Sequence, residues 1–335
     1  MIVVTLNEDA DPAAVRRALV ARGLWVETLE TSGRVTHLAA VPPSADVDPG
    51  TLLAIPGVSD VAATPSRHPR VDAHPTAVRV GGVAIGAGAA PVLLAGPCSV
   101  ESERQIFEAA ERVARAGARF LRGGAFKPRT SPYTFQGHGA RALGWLRRAA
   151  DAHGLAVVTE ATTPEEAGAV ADIADLVQVG SRNMASFGLL AAVGRTGRPV
   201  MLKRGMAATV EEWLLAGEHL LVHGAPAVVF CERGVQGGGG ATRNLLDLAA
   251  AALLAHVHHL PVVVDPSHGT GRRDLVVPLA LAAVAAGAAG VLVETHDDPG
   301  AALSDGPQAL STAELARLAA ALGVHAPDER RASHG

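Results

Sequence analysis

Ten side chains in this sequence could act together as a reaction centre, provided the fold gathers them. Four offer metal donors. Cys98, His268, Glu294 and Asp305 supply one thiolate, one imidazole and two carboxylates, a mixture that suits a divalent transition ion such as manganese, iron, cobalt or zinc. No CxxC or HExxH spacing groups them locally. Read singly, Cys98 is a small core residue and His268 a loop histidine. The other six are cations: Arg122, Lys127, Arg129, Arg182, Lys203 and Arg233. Guanidinium groups grip phosphate and carboxylate in bidentate fashion. Six cations exceed the need of one monophosphate, which points to two anionic substrates. Gly123, Gly124 and Gly234 would let backbone N–H groups approach a phosphate closely.

The elements that must position these groups are legible as runs. Continuous apolar segments recur at 91–96, 118–122, 156–160, 176–179, 199–203, 227–232, 261–265 and 290–294. Parallel strands buried on both faces read this way. Helix-patterned stretches lie between them, among them 103–115, 140–153, 164–171 and 210–223. Eight strands alternating with helices predict a closed (β/α)8 TIM barrel, with an open doubly wound sheet as the competing architecture. Barrel chemistry sits at the C-terminal ends of the strands. Most of the ten residues fall there, or in the segment that follows. Glu160 and Glu232 also end strands, and each reads either as a proton carrier or as a partner that neutralises a nearby arginine.

The first part of the chain follows another pattern. Its β-rich and helical stretches run in the order βαββαβ, the ferredoxin-like arrangement. The expected organisation is a ferredoxin-like domain at 1–66, a proline-containing linker at 67–76, a catalytic barrel at 77–325 and a tail at 326–335.

Composition narrows the function classes. The chain has 335 residues, is 48% apolar and carries a formal net charge of −4. Nothing in that balance advertises nucleic acid or an anionic membrane as a partner. The stretch 275–293 lacks charge, but Pro278, Gly287 and Gly290 interrupt it, so it reads as a helix, a turn and a strand. Two distant cysteines, Cys98 and Cys231, form no disulfide framework. With no signal-peptide pattern at the start, the expectation is a cytoplasmic protein. The histidines of His296-Asp297-Asp298 and of 256–259 are read as loop and helix-end residues outside the metal centre.

Seven blocks carry a resemblance. GPCSVES (96–102), RGGAFKPRTSPYTFQG (122–137), VGSRNM (179–184), LKRGM (202–206), CERG (231–234), DPSHGTGRRD (265–274) and SDGPQAL (304–310) resemble type I 3-deoxy-D-arabino-heptulosonate 7-phosphate (DAHP) synthases. They also resemble the related octulosonate synthases, but KPRTS at 127–131 favours the heptulosonate enzyme over the KANR-type sequence of the alternative. The resemblance implies an enzyme of the shikimate pathway that joins phosphoenolpyruvate to erythrose 4-phosphate. It implies that Cys98, His268, Glu294 and Asp305 hold the metal, manganese first among the candidates. Arg122, Lys127, Arg182, Lys203 and Arg233 would hold phosphoenolpyruvate, with Arg182 and Arg233 on its phosphate. Arg129 and Thr130 would grip the phosphate of erythrose 4-phosphate. Lys127 would protonate the developing alkoxide, its pKa lowered by the neighbouring guanidinium groups.

The N-terminal domain resembles a regulatory extension that senses tyrosine or phenylalanine in homotetrameric members. A chorismate mutase partner is compatible with the sequence. So is a non-catalytic amino-acid-sensing paralogue, although the full donor set argues against it. VQGGGG at 235–240 departs from the bulkier stretch usual after ERG, and suggests a more mobile loop beside Arg233.

Overall fold

A computed structural model describes residues 2–31, 34–41, 45, 47–63, 65–127, 131, 133–237 and 240–324. The chain separates into two compact units, Met1–Arg67 and His68–Gly335. The expected tail at 326–335 lies outside the described residues.

In the first unit, β1 (Ile2–Leu6), β2 (Trp25–Thr31), β3 (Arg34–Val41) and β4 (Val58–Ala63) form an antiparallel sheet in the order β2-β3-β1-β4. Helix Pro12–Val20 starts where Asp11 accepts the N–H of Ala13, with proline at the first helical position. Such a start satisfies donors that the helix itself leaves open. Val15 and Leu19 of this helix pack with Val4, Leu38 and Leu52 into a core separate from that of the second unit. The order βαββαβ is the ferredoxin-like one that the sequence pattern predicts.

The second unit opens with a helical turn, Pro69–Asp72, and a hairpin of β5 (Ala77–Val80) and β6 (Val83–Gly86). Eight parallel strands among the described residues then close in sequence order. They are β7 (Val92–Gly96), β8 (Phe120–Arg122), β9 (Ala156–Ala161), β10 (Leu176–Val179), β11 (Val200–Lys203), β12 (Val228–Glu232), β13 (Val262–Val264) and β14 (Gly290–Glu294). β14 pairs with β7, which completes the barrel.

Alternation along these strands divides the core. Leu94, Phe120, Val158, Met201, Val229, Cys231 and Leu292 point inward and pack with Val80 and Ile85 of the hairpin. Leu93, Leu121, Val157, Phe230 and Val293 belong to the cluster shared with the surrounding helices. Residues 275–293 divide between helix Arg273–Ala285 and β14, and no described helix is long and apolar enough to cross a membrane.

Candidate active site

The site begins where β7 ends. The ladder stops at Gly96, whose missing side chain matters: an added Cβ would overlap the carbonyl oxygen of Arg122. The chain then turns through Pro97 and delivers Cys98. From the far side of the β14 seam, Glu294 arrives paired in register with Gly96. His268 comes from a short helix after β13, Pro266–Thr270, whose N-cap Asp265 accepts the His268 N–H at 2.9 Å. Asp305 lies in the segment beyond β14.

These four donors converge. One ligand atom from each of Cys98, His268, Glu294 and Asp305 lies within 4.8 Å of the others. Cys98 Sγ is 3.0 Å from Asp305 Oδ2, and His268 Nε2 is 3.2 Å from Glu294 Oε1. Asp265 Oδ2 lies 2.7 Å from His268 Nδ1, which turns the other ring nitrogen toward the cluster. A carboxylate behind a ligating histidine fixes both its tautomer and its orientation. Gln308 donates to Glu294 Oε2 at 2.6 Å, and Ser267 Oγ accepts the Glu294 N–H at 3.0 Å.

Charges in the cluster answer to burial and to each other. Burial, helped by Glu294, pushes the Cys98 thiol up to about 12. Burial also opposes ionisation of Glu294, Asp305 and Asp265, but their partners outweigh it. His268 and Arg122 hold Glu294 below the usual carboxylate range. The Cys98 hydrogen bond and Lys127 do so for Asp305, while His268 and Lys203 bring Asp265 well below it. Burial lowers the His268 value despite the nearby carboxylates, so the neutral, ligating imidazole is favoured. A thiol, a neutral imidazole and two carboxylates in contact suit a divalent transition ion.

The cations gather at the same end of the barrel. A cavity of about 480 Å³ is lined by Cys98, His268 and Asp305 together with Arg122, Lys127, Arg182, Lys203 and Arg233. Arg129 and Thr130 lie outside the described residues. Three of the gathered cations carry carboxylate partners of their own: Arg122 donates to Glu294 at 2.8 Å, Lys203 pairs with Asp265, and Lys127 pairs with Asp305. The positive charge offered to substrates is therefore smaller than a count of cations implies.

Lys127 corrects one expectation. Its ammonium lies 2.6 Å from Cys98 Sγ and 3.6 Å from Asp305 Oδ2. Burial and Arg122 would lower its pKa, but Cys98 and Glu294 prevail and raise it. The guanidinium of Arg122 does not set the direction of the shift, because the sulfur and carboxylate contributions outweigh it.

The two candidate proton carriers separate. Glu232 is fully buried, accepts Arg204 Nη1 at 3.1 Å and caps the Gly234 N–H, so it neutralises an arginine. Glu160 lines the cavity and accepts Gln178 Nε2 at 2.7 Å. Gly180 sits beside it, and a Cβ there would make the Glu160 carboxylate move. His296 and His256 stay outside the donor cluster. His256 Nε2 meets the carbonyl of Ala286 at a helix end. In the 235–240 segment, Val235 bridges to Leu245, while residues 238 and 239 lie outside the described residues.

Sequence reasoning missed Arg243, which lines the cavity and pairs with Asp305 Oδ1 at 3.1 Å, and Arg204, which bridges Glu232 and Asp247. The LKRGM block contained Arg204, but nothing in its spacing announces carboxylates 28 and 43 residues away.

Comparisons with known proteins bear on the family and the fold. The model of the DAHP synthetase I family matches residues 63–326. A phospho-2-dehydro-3-deoxyheptonate aldolase of Thermotoga maritima is 47% identical over 260 residues, covering 75% of this chain and 77% of that protein. A 2-dehydro-3-deoxyphosphooctonate aldolase of Nitratidesulfovibrio vulgaris is 35% identical over 233 residues, covering 64% of this chain and 84% of its own length. The crystal structure of a phospho-2-dehydro-3-deoxyheptonate aldolase (DAHP synthase) from Thermotoga maritima superposes with a TM-score of 0.74 at 38% identity, covering 97% of this chain and 98% of that one. A truncated form of 3-deoxy-D-arabino-heptulosonate 7-phosphate synthase from the same organism gives 0.69 at 42% identity, over 76% and 95%.

Proposed function

The chain belongs to the DAHP synthetase I family, and from that premise we propose which of its residues perform the family's reaction and with what metal. The reaction condenses phosphoenolpyruvate with D-erythrose 4-phosphate, giving 3-deoxy-D-arabino-heptulosonate 7-phosphate and phosphate, the first step of the shikimate route to aromatic amino acids.

Cys98, His268, Glu294 and Asp305 hold a divalent ion in this reading, manganese first, with iron, cobalt or zinc as substitutes. The observation that carries it is the approach of the four donor atoms to within 4.8 Å of one another beside a cation-lined cavity. When bound, such an ion supplies Lewis acidity toward the aldehyde oxygen of erythrose 4-phosphate. The protein does the rest. Arg182 and Arg233 hold the phosphate of phosphoenolpyruvate, and Arg122, Lys127 and Lys203 complete its site. Arg129 and Thr130 hold the phosphate of the aldose, so that both substrates lie in register. As C3 of phosphoenolpyruvate bonds to the aldehyde carbon, Lys127 gives a proton to the aldehyde oxygen. Its raised pKa keeps it in the ammonium form that this step consumes. Water then adds at C2, and phosphate leaves by C–O cleavage.

The finer organisation follows the same reading. The 1–66 unit acts as a feedback sensor for tyrosine or phenylalanine, joined through 67–76 to the catalytic barrel at 77–325. Its separate core supports independent behaviour. The working form is a cytoplasmic homotetramer, with a chorismate mutase as a candidate partner.

Phosphate release from phosphoenolpyruvate tests the assignment, with erythrose 4-phosphate compared with arabinose 5-phosphate. Turnover should require erythrose 4-phosphate, disappear with EDTA and return with manganese. Full activity in EDTA would overturn the metal reading. Faster turnover of arabinose 5-phosphate would move the chain to the octulosonate reaction.

A further inference from the structure

Asp305 is the donor whose backbone is held under strain. It adopts φ 51°, in the left-handed region. A residue with a Cβ occupies that region only where its surroundings over-determine it. The restraining contacts come from the exit of β7. Ser99 Oγ and Ser304 Oγ are buried and 2.6 Å apart. Two residues after Ser99, Glu101 Oε1 accepts the N–H of Leu303 at 2.8 Å. Its second oxygen lies 3.7 Å from His296 Nε2, near the start of the same segment. The Glu101 side chain is only 12% exposed, so this charge-assisted hydrogen bond is poorly screened. The Glu101 carbonyl also lies 3.0 Å from His138 Nε2, at the far end of the segment that carries Lys127. One residue thereby contacts both segments that converge on Cys98.

We propose that Glu101 is a positioning residue, which clamps the 297–305 segment to the exit of β7 and so sets the affinity of the metal centre. This rests on reading Cys98, His268, Glu294 and Asp305 as that centre. The Leu303 N–H lies two residues before Asp305. Without its acceptor the backbone is released to relax out of the left-handed region, and Asp305 Oδ2 leaves its place 3.0 Å from Cys98 Sγ. The cost falls on metal binding, because the donor must be reordered each time an ion enters.

The test is a cobalt(II) titration of the full chain, metal-free at the start, followed by the thiolate-to-cobalt charge-transfer absorption that reports ligation by Cys98. Glu101→Ala and Glu101→Gln are compared with the parent, and circular dichroism monitors folding. Glu101→Ala should bind cobalt at least about tenfold more weakly, while Glu101→Gln, whose amide oxygen still accepts the Leu303 N–H, should stay within about threefold of the parent. Parental affinity in Glu101→Ala would overturn the proposal, as would a Glu101→Gln variant as weak as the alanine one. If Glu101→Ala does not fold, Glu101→Met, which keeps the bulk of the side chain but has no carboxylate to accept the Leu303 N–H, carries the same test, with unchanged affinity again overturning the proposal. A parent chain without the charge-transfer band would remove the metal centre itself and the proposal with it. A parental band with an unaffected Glu101→Ala removes only the clamp.

Discussion

Raising the pH should tighten metal binding by displacing one proton. The proton belongs to Cys98, whose thiol burial pushes up to about 12, with Glu294 adding to the effect. Only the thiolate ligates a metal. At pH 7 the group stands about five units below its pKa, so expelling the proton costs about 7 kcal/mol of binding free energy at about 1.36 kcal/mol per unit. The shifts of the other donors all run toward the proton-free form. Glu294 and Asp305 are held below the usual carboxylate range, and the His268 value is lowered. Lys127 keeps its proton because its pKa is raised. Each step upward in pH brings the thiol closer to its pKa, so the cost falls as pH rises. The apparent association constant for manganese should therefore increase about tenfold per pH unit between roughly pH 6.5 and 8.5. Calorimetric titration of the metal-free chain in two buffers of different ionisation heat would report about one proton released per ion. Cys98→Ser should bind more weakly and release close to none. A parent chain that binds manganese with no proton release would refute the reasoning, since it would mean that Cys98 is not a protonated ligand awaiting the ion.

Other substitutions separate the roles. Lys127→Met should lower the single-turnover rate by about 10²- to 10⁴-fold if Lys127 is the proposed proton donor to the aldehyde oxygen. Asp265→Asn removes the charge behind His268 and beside Lys203, and should weaken metal binding by about 10- to 100-fold in the same calorimetric assay. Trp213→Ala should cost about 3–5 kcal/mol in urea unfolding. Trp213 is fully buried, packs edge-to-face on Phe230 and donates to the carbonyl of Leu202.

The barrel was legible because its strands are buried on both faces and read as unbroken apolar runs. The runs read from 118 and 227 start late, at Phe120 and Val228, and three other late starts share a simple cause. Runs beginning at Pro91, Pro199 and Pro261 start one residue later as ladders, at Val92, Val200 and Val262. Proline has no N–H to give. The segment read as one helix from 164 starts instead as a 3₁₀ turn, Pro164–Glu166, behind a Thr163 capping box, and continues as helix Ala167–Ile173.

The ionic wiring of the site was not legible. Arg122 with Glu294, Lys203 with Asp265 and Arg243 with Asp305 are each more than 60 residues apart, and spacing carries no trace of them. The direction of the Lys127 shift failed for the same reason. Sequence displays the nearby arginines of the motif, but only the fold brings Cys98 to 2.6 Å.

The central claim is that Cys98 and its three partners hold the ion the reaction uses. X-ray absorption at the metal edge of the loaded chain tests it most directly. The account predicts one sulfur scatterer in the first coordination shell of the parent, and an all-nitrogen-and-oxygen shell in Cys98→Ser. A parent whose bound ion shows no sulfur neighbour would contradict it.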